Sequence, residues 1–147
     1  MSEAAHANAL IVGEAGLLLR GASGSGKSAL TLEIVKRAER SGAFARLVGD
    51  DRVFLESCNG RVIATAHKAT LGAIELRSFG LASLPFEPEA VIRCVVDLET
   101  TLPPRLPDEE DETALLCGLR LPRRRFALAD AAVVEKIFVF LQYVKTM

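Results

Sequence analysis

Residues 21–28 read Gly-Ala-Ser-Gly-Ser-Gly-Lys-Ser and match the pattern G-x-x-x-x-G-K-S. The apolar run 17–19 stands just before this stretch and predicts a strand. From Lys27 to Arg40, apolar residues recur at steps of three and four, which predicts an amphipathic helix. A glycine-rich turn between a strand and a helix is the context in which this pattern binds phosphate groups. The sequence therefore predicts a P-loop nucleotide-binding domain of the α/β class.

Each residue type in this loop has a physical role in holding phosphate. Glycines allow backbone N–H groups to turn toward phosphate oxygens, and the positive end of the helix dipole favours the anion. We expect Lys27 to reach the β and γ phosphates and the hydroxyl of Ser28 to bind Mg²⁺. The predicted nucleotide-binding residues are Gly21, Ala22, Ser23, Gly24, Ser25, Gly26, Lys27 and Ser28.

The other short apolar runs predict a mixed β-sheet that contains more hairpins than a strand-helix-strand repeat would have. These runs are 10–12, 47–48, 53–55, 61–66, 73–76 and 90–98. The pair Asn59-Gly60 is a strong hairpin turn signal between two of them. The run 90–98 is apolar and β-branched enough to be a central strand.

Three acidic residues follow or interrupt these strands. Asp50 and Asp51 come directly after the run 47–48, where one carboxylate can face Mg²⁺ and the other can face a substrate. An aspartate pair that simply forms a turn is the alternative interpretation. Glu75 lies between Ile74 and Leu76, so in a strand it points away from both and is a candidate for a second metal contact.

Length and composition limit the class of protein. With 147 residues, half of them hydrophobic, the chain predicts a single domain over residues 1–147. The 18 Lys and Arg residues balance 19 Asp and Glu residues, so no overall positive field favours nucleic acid as a partner. No apolar run is long enough for a membrane span and no secretory signal is visible, so we expect a cytoplasmic protein. Cys58, Cys94 and Cys117 are expected to be reduced core residues.

The last third of the chain carries weaker signals. Residues 100–112 include three prolines and an acidic run, which predicts a mobile surface loop without internal packing. The cluster Arg123 to Arg125 suggests a phosphate or partner site as readily as simple surface exposure. In the helix predicted for 130–145, one face holds Val134, Ile137, Phe138, Leu141 and Val144, while Val133, Val139 and Phe140 lie elsewhere. Apolar residues on several sides of this helix suggest a homo-oligomer.

Together these residues resemble the HPr kinase/phosphorylase family, in its short form that lacks an N-terminal domain. The resemblance runs from about His6 to Leu98. His6-Ala7 stands in the place of the family's His-Gly, and residues 47–51 read Leu-Val-Gly-Asp-Asp where the family has Leu-Val-Ala-Asp-Asp. Residues 75–80 read Glu-Leu-Arg-Ser-Phe-Gly where the family has Glu-Ile-Arg-Gly-Leu-Gly. The resemblance implies a phosphoenolpyruvate-carboxykinase-like fold.

The resemblance also implies roles for single residues. It makes Asp50 the base for a seryl hydroxyl, His6 the residue that tunes the protonation state of Asp50, and Lys27 the phosphate-binding lysine. Metal ligation falls to Ser28 and Glu75, together with Asp51 as the second acid of the pair. The best match to a catalytic arginine of the family is Arg105, in Pro104-Arg105-Leu106.

The sequence departs from the family at several positions. Ala29 replaces a glutamate after Lys-Ser, and Ser78-Phe79 replace Gly-Leu. The family's Pro-Val-Arg-Pro-Gly-Arg segment, which is tied to dephosphorylation, is reduced to residues 122–125 without its glycine.

The leading hypothesis is an ATP-dependent, Mg²⁺-requiring protein-serine kinase acting on the phosphocarrier protein HPr or a paralogue. Its reverse reaction would use inorganic phosphate and release pyrophosphate. Two alternatives stay open: a P-loop kinase of a small metabolite, and a nucleotide-sensing regulator that binds an HPr-like partner without catalysis.

Overall fold

The computed structural model describes residues 2–22 and 26–147, which form a mixed sheet with two α-helices packed on it. The helices are α1 (Lys27–Arg40) and α2 (Val133–Lys145). The strands are β1 (Ser2–Ala5), β2 (Ala7–Val12), β3 (Ala15–Arg20), β4 (Ala45–Gly49), β5 (Val53–Cys58), β6 (Arg61–Thr65), β7 (Ala73–Leu76), β8 (Gly80–Ser83), β9 (Glu89–Glu99), β10 (Thr113–Leu116) and β11 (Leu119–Ala127). Two short 3₁₀ helices cover Lys68–Thr70 and Glu109–Glu112.

Strand β9 is the centre of the main sheet, whose order is β1-β5-β6-β9-β3-β2-β4. It runs parallel to β3 on one side. On the other side it pairs with two strands in turn, because β6 is antiparallel to its first half and β11 is parallel to its second half. The hairpin β7–β8 forms a separate two-stranded sheet.

Side chains of the sheet alternate between two apolar cores. In β3, Leu17 and Leu19 face a core that includes the apolar stripes of both helices, and Leu18 faces a second core. The second core is filled by residues of the sheet itself, such as Leu55 of β5 and Val62 of β6. Because strands from distant parts of the sheet share this core, the sheet curls around it.

Strand directions bring several loops to one edge of the sheet. Strands β3 and β4 are both antiparallel to β2, so they run in the same direction, and β9 and β11 run parallel to β3. The segment that follows β3, the acid pair that follows β4 and the residue that precedes β2 therefore meet at one edge. In open α/β sheets this carboxyl edge is where ligands bind.

Most elements predicted from local patterns are confirmed. The helix over Lys27–Arg40 has the predicted bounds, and so has the strand Ala73–Leu76. Asn59 and Gly60 both have positive φ angles in the turn between β5 and β6, as expected for this hairpin pair. The 11-residue strand β9 contains the predicted central strand.

The segment 100–127 differs from its prediction. Its acidic run ends in the 3₁₀ helix Glu109–Glu112, and Asp111 accepts hydrogen bonds from Arg123 and Arg125, so the prediction of a loop without internal packing is wrong. The hairpin β10–β11 was not predicted. Its two-residue turn, Cys117-Gly118, has positive φ at both positions, which is typical of tight hairpins but gives a weak signal when the first residue is cysteine.

Two further expectations for the core need correction. Val133 and Phe140 of α2 are buried rather than off the packing face, and with Val134, Ile137 and Leu141 they fill the helix-side core. Among the cysteines, Cys94 is buried, but Cys58 is exposed and Cys117 is half-buried. Burial raises the pKa of the Cys94 thiol to about 12. Neither described helix has the length and the apolar character needed to cross a membrane.

Candidate active site

The phosphate loop lies between the end of β3 and the start of α1, as predicted. Of its eight residues, Ser23, Gly24 and Ser25 lie outside the described residues. Gly26 adopts a φ of 99°, a left-handed conformation that favours glycine, and a Cβ here would lie 2.8 Å from Cδ2 of Leu128. Helix α1 then begins at Lys27, and no side chain among the described residues caps its first turn. Its N-terminal N–H groups can therefore bind an anion.

Lys27 is held at the bottom of this loop with only 4% of its side chain exposed. Its Nζ donates hydrogen bonds to the carbonyl oxygens of Gly21, at 2.8 Å, and Ala22, at 3.2 Å. The same atom lies 3.7 Å from Oδ1 of Asp51. The ammonium group thus joins the two ends of the phosphate loop and faces one acid of the pair.

Asp50 is fixed by donors from three different elements. Its Oδ1 accepts hydrogen bonds from Oγ of Ser28, at 2.5 Å, and from Nδ2 of Asn8, at 3.0 Å. Its Oδ2 accepts one from the backbone N–H of Glu75, at 2.9 Å. All three of these donors are uncharged, and one of them is the hydroxyl predicted to bind magnesium.

Asp51 has a different environment from its neighbour. Its backbone has a φ of 63°, and its side chain is 53% exposed. Oδ1 of Asp51 lies 3.4 Å from Nδ1 of His6 as well as near the ammonium of Lys27. The structure thus pairs His6 with Asp51, whereas the resemblance had assigned it to Asp50.

These groups line one open cleft of about 990 Å³. The hairpin β7–β8 forms its opposite wall and contributes Glu75, Arg77 and the exposed side chains of Phe79 and Leu81. Ile74 is fully buried while Glu75 is exposed, as the strand alternation predicted. The cleft therefore brings together Lys27, Ser28, both aspartates and Glu75, with His6 at its edge in contact with Asp51.

The oxygen-bearing side chains in this cleft fit Mg²⁺. Ser28, Asp50, Asp51 and Glu75 supply hydroxyl and carboxylate oxygens, the donors that this ion prefers. In the described part of the chain, no group of three or more His, Cys, Asp or Glu side chains is arranged as a complete metal site. Magnesium is usually held by one or two carboxylates together with substrate phosphates, and this donor set suits that mode.

Arg105 is not brought to this cleft. It is exposed in the segment after β9 and lines a second cavity of about 440 Å³, together with Pro104, Arg124 and Phe126. In the described part of the chain, Arg105 therefore lines a different cavity from Lys27 and the aspartates. Arg77, which sequence reasoning had not selected, is an arginine that does line the cleft.

The three consecutive arginines of β11 are neither a free phosphate site nor simple surface residues. Nε of Arg123 donates to Oδ2 of Asp97 at 2.5 Å, and Nε of Arg125 donates to Oε2 of Glu99 at 2.5 Å. Between them, the guanidinium of Arg124 lies 5.1 Å and 5.2 Å from the ring centroids of Phe140 and Tyr143. Their charges are used to join β9, β11 and α2.

Asp97 is the centre of this ion-pair network. Its two oxygens also accept hydrogen bonds from Nε and one terminal nitrogen of Arg20, at 2.7 and 2.8 Å. Burial alone would raise the pKa of Asp97, but the hydrogen bonds from Arg20 and Arg123 outweigh it and hold the pKa below its ordinary value. The network lies beneath the phosphate loop, since Arg20 is the last residue of β3.

Sequence reasoning missed Asn8 and Thr31, which connect the aspartates to helix α1. The signal for Asn8 was its position as the one polar residue in the run 7–12, Ala-Asn-Ala-Leu-Ile-Val. A polar residue inside a buried strand needs hydrogen-bond partners, and partners from distant segments cannot be read from the run itself.

Comparisons with known proteins identify the family and the fold of this chain. The family model described as the HPr serine kinase C-terminal domain matches residues 1–99, which contain His6 and every residue that lines the cleft. Two curated relatives carry the name HPr kinase/phosphorylase. The one from Clostridium tetani is 37% identical over 70 residues, and the one from Clostridium beijerinckii is 39% identical over 66 residues.

These alignments cover 48% and 45% of this chain but 21% and 20% of the relatives, so the match spans about a fifth of the length of those proteins. Among solved structures, the Hpr(Ser) kinase/phosphatase from Coxiella burnetii matches 98% of this chain and 91% of its own, with a TM-score of 0.80 and 22% identity. This likeness shows a shared mixed α/β fold that extends beyond residue 99. Since the family model matches 99 of 147 residues, the chain belongs to the HPr serine kinase C-terminal domain family.

Proposed function

We propose that this protein transfers the γ-phosphoryl group of ATP to a serine hydroxyl of the phosphocarrier protein HPr. Family membership supports the class of reaction and the acceptor. The observation that carries the proposal is that Lys27 and His6 both face Oδ1 of Asp51 in the cleft onto which the phosphate loop opens. A cation for the phosphoryl oxygens thus lies beside a carboxylate that can receive a proton.

In this proposal Asp51 is the base and Asp50 orders the metal side of the cleft, which exchanges the roles that the resemblance suggested. Asp51 is the more exposed of the two carboxylates and faces His6, while Asp50 accepts the hydrogen bond from Ser28. Both carboxylates still take part, and Ser28 and Glu75 remain the other candidates to hold Mg²⁺, which would neutralise phosphate charge when bound.

The chemical step needs little basicity from Asp51. As the seryl oxygen forms its bond to the γ-phosphorus, the bond from that phosphorus to the departing ADP oxygen breaks. Much of the charge in this loose transition state is on the phosphoryl oxygens, close to Lys27, before the hydroxyl is fully deprotonated. The hydroxyl proton then moves to Asp51, and His6 at 3.4 Å stabilises the arrangement of that carboxylate.

The test is a transfer assay with purified protein, Mg²⁺, γ-labelled ATP and HPr. We expect label on a serine of HPr, identified by mass spectrometry, and a loss of at least about 100-fold in the Lys27→Met variant. Label on a free metabolite with none on HPr would identify a metabolite kinase instead. Binding of both ATP and HPr without movement of label would identify a nucleotide-sensing regulator.

The same reagents test the reverse direction. Phosphoseryl-HPr is incubated with inorganic phosphate, whose oxygen would attack the phosphoserine phosphorus while the bond to the seryl oxygen breaks. That oxygen would take a proton from Asp51, and pyrophosphate would be released. Release of pyrophosphate in step with loss of phosphoserine would establish phosphorolysis, and its absence would restrict the protein to the forward reaction.

A further inference from the structure

Asn8 is a fully buried polar residue in a strand that is otherwise apolar. Its side chain is 0% exposed, and its neighbours in β2, Ala7 and Ala9, are also fully buried. Burying an amide group is unfavourable unless its donors and its acceptor find partners. The position therefore requires specific hydrogen bonds.

Three hydrogen bonds satisfy this amide, and they lead to both aspartates. Nδ2 donates to Oδ1 of Asp50 at 3.0 Å and to Oγ1 of Thr31 at 2.9 Å. Oδ1 of Asn8 accepts from the backbone N–H of Asp51 at 2.7 Å. The orientation of the amide is fixed, because a carboxylate can only accept and a backbone N–H can only donate.

The bond to Asp51 stabilises an unusual backbone. A φ of 63° is uncommon for a residue with a side chain and persists where the surroundings hold it. In this conformation the carboxylate of Asp51 faces His6 and Lys27. Loss of the Asn8 amide would remove the hydrogen bond that holds the backbone of Asp51, and with it the orientation of the Asp51 carboxylate.

The bond to Thr31 connects the acid pair to the phosphate loop. Oγ1 of Thr31 donates to the backbone oxygen of Lys27 at 2.8 Å, one turn earlier in α1. A continuous chain of hydrogen bonds thus runs from the first residue of α1 through Thr31 and Asn8 to Asp50 and to the backbone of Asp51, buried at Thr31 and partly buried at the aspartates. Such a chain keeps the distance between the lysine and the aspartates constant.

We propose that Asn8 is a positioning residue for phosphoryl transfer, which holds Asp50 and Asp51 in register with Lys27. This inference rests on the proposed kinase function. Asn8 is buried and reaches the reaction only through its neighbours, so its loss should lower the rate of the chemical step more than the binding of ATP.

The test compares Asn8→Leu, which keeps the size of the side chain but has no polar atoms, with the wild-type protein. We expect kcat for HPr phosphorylation to fall about 30- to 100-fold while the KM for ATP changes less than about threefold. Ile34→Val is the control, because it loosens the fully buried face of α1 without touching either carboxylate. Its kcat should stay within twofold of the wild-type value at a temperature where all three proteins are folded.

A second measurement follows the geometry without relying on activity. Hydrogen exchange of the Asp51 amide should become at least about tenfold faster in Asn8→Leu and stay unchanged in Ile34→Val. A kcat within twofold of wild type in folded Asn8→Leu would overturn the inference. If the wild-type protein phosphorylates no HPr, the proposed kinase function is wrong, and hydrogen exchange at the Asp51 amide still tests the positioning role of Asn8. An unchanged exchange rate in Asn8→Leu would then refute that role.

Discussion

Two carboxylate clusters lie near the same edge of the sheet, one after β4 and one at the end of β9. They differ in how closely cationic side chains contact the carboxylates. Asp97 is 15% exposed, and two guanidinium groups occupy both of its oxygens. Asp51 is 53% exposed, and its Oδ1 has an ammonium at 3.7 Å and an imidazole at 3.4 Å, both farther away than the guanidinium nitrogens that donate to Asp97. Arginine side chains hold both oxygens of Asp97, whereas the carboxylate of Asp51 can still accept a hydrogen bond from a ligand.

This difference separates a structural carboxylate from a chemical one. Three charge-assisted hydrogen bonds from two arginines make Asp97 a poor acceptor for a proton or a metal ion, so this carboxylate joins β3, β9 and β11. A carboxylate that is held in position but still has free lone pairs can accept a proton during a reaction. The number and the charge of the donors on each oxygen therefore indicate the role better than the presence of an acid at a strand end.

The largest effect is expected from Asp51→Asn. We expect kcat for HPr phosphorylation to fall about 1,000-fold, because the amide cannot receive the hydroxyl proton. The free energy of unfolding should change by less than about 0.5 kcal/mol, since the side chain is half exposed. Steady-state kinetics and urea unfolding measure both quantities.

Asp50→Asn is the matched variant for this prediction. If it reduces kcat more than Asp51→Asn does, while ATP still binds within a few-fold of wild type, then Asp50 is the base and the exchange of roles proposed above is wrong.

The opposite result is expected from Asp97→Asn. Removing this charge leaves Arg20 and Arg123 partly buried without their counter-ion, and we expect the free energy of unfolding to fall by about 3 kcal/mol at pH 7. Urea unfolding measures the change. Asp108→Asn, at an exposed position before the 3₁₀ helix, is the control and should change it by less than about 0.5 kcal/mol. Equal effects of the two substitutions would contradict a structural role for Asp97.

The pH dependence of this stability follows from the lowered pKa of Asp97. Its folded-state pKa lies below its unfolded value of about 3.9, so its contribution is fully present above that value and is lost as the pH falls through the folded-state pKa. The stability difference between wild type and Asp97→Asn should therefore be constant from pH 6 to pH 8 and shrink at pH 3. A difference that grows in acid would show that the sign is wrong.

The smallest effect concerns the cleft wall, where a second non-glycine residue has a left-handed backbone. Ser78, in the turn between β7 and β8, has a φ of 66°, close to that of Asp51. No side-chain hydrogen bond comparable to that of Asn8 supports it in the described structure. Ser78→Gly should raise the free energy of unfolding by about 0.5 to 1 kcal/mol, because glycine adopts this conformation without strain.

The control for this variant is Ser83→Gly, in the extended strand β8, where glycine should be destabilising by about 0.5 kcal/mol. Thermal and urea unfolding of both variants give the comparison. If Ser78→Gly destabilises the protein as much as Ser83→Gly does, the backbone at residue 78 is not strained, and of these two cleft residues only Asp51 keeps that interpretation.

The sequence alone determined the parts of this protein that depend on neighbouring residues. Helix α1, the hairpin at Asn59-Gly60 and the alternation around Glu75 were predicted correctly, and the phosphate-loop pattern lies between a strand and a helix as expected. Helix periodicity, strand alternation and turn chemistry act over a few residues, so they can be read from a short window. The acids at the end of β4 were found for the same reason.

Only the tertiary structure decided which side chains meet. The pairing of His6 with Asp51, the hydrogen bonds between Asn8 and the two aspartates, and the ion pair of Arg123 with Asp97 join residues that lie 26 to 45 positions apart. Arg20 and Asp97 lie 77 positions apart. The pairing of β2 with β4 and the register of β9 with β3 and β11 set these contacts, and no local pattern specifies either. Arg105 lies away from the cleft because of the path that the chain takes after β9. The chemistry of a side chain makes it a candidate for the site, but the order of the strands decides which candidates lie close together.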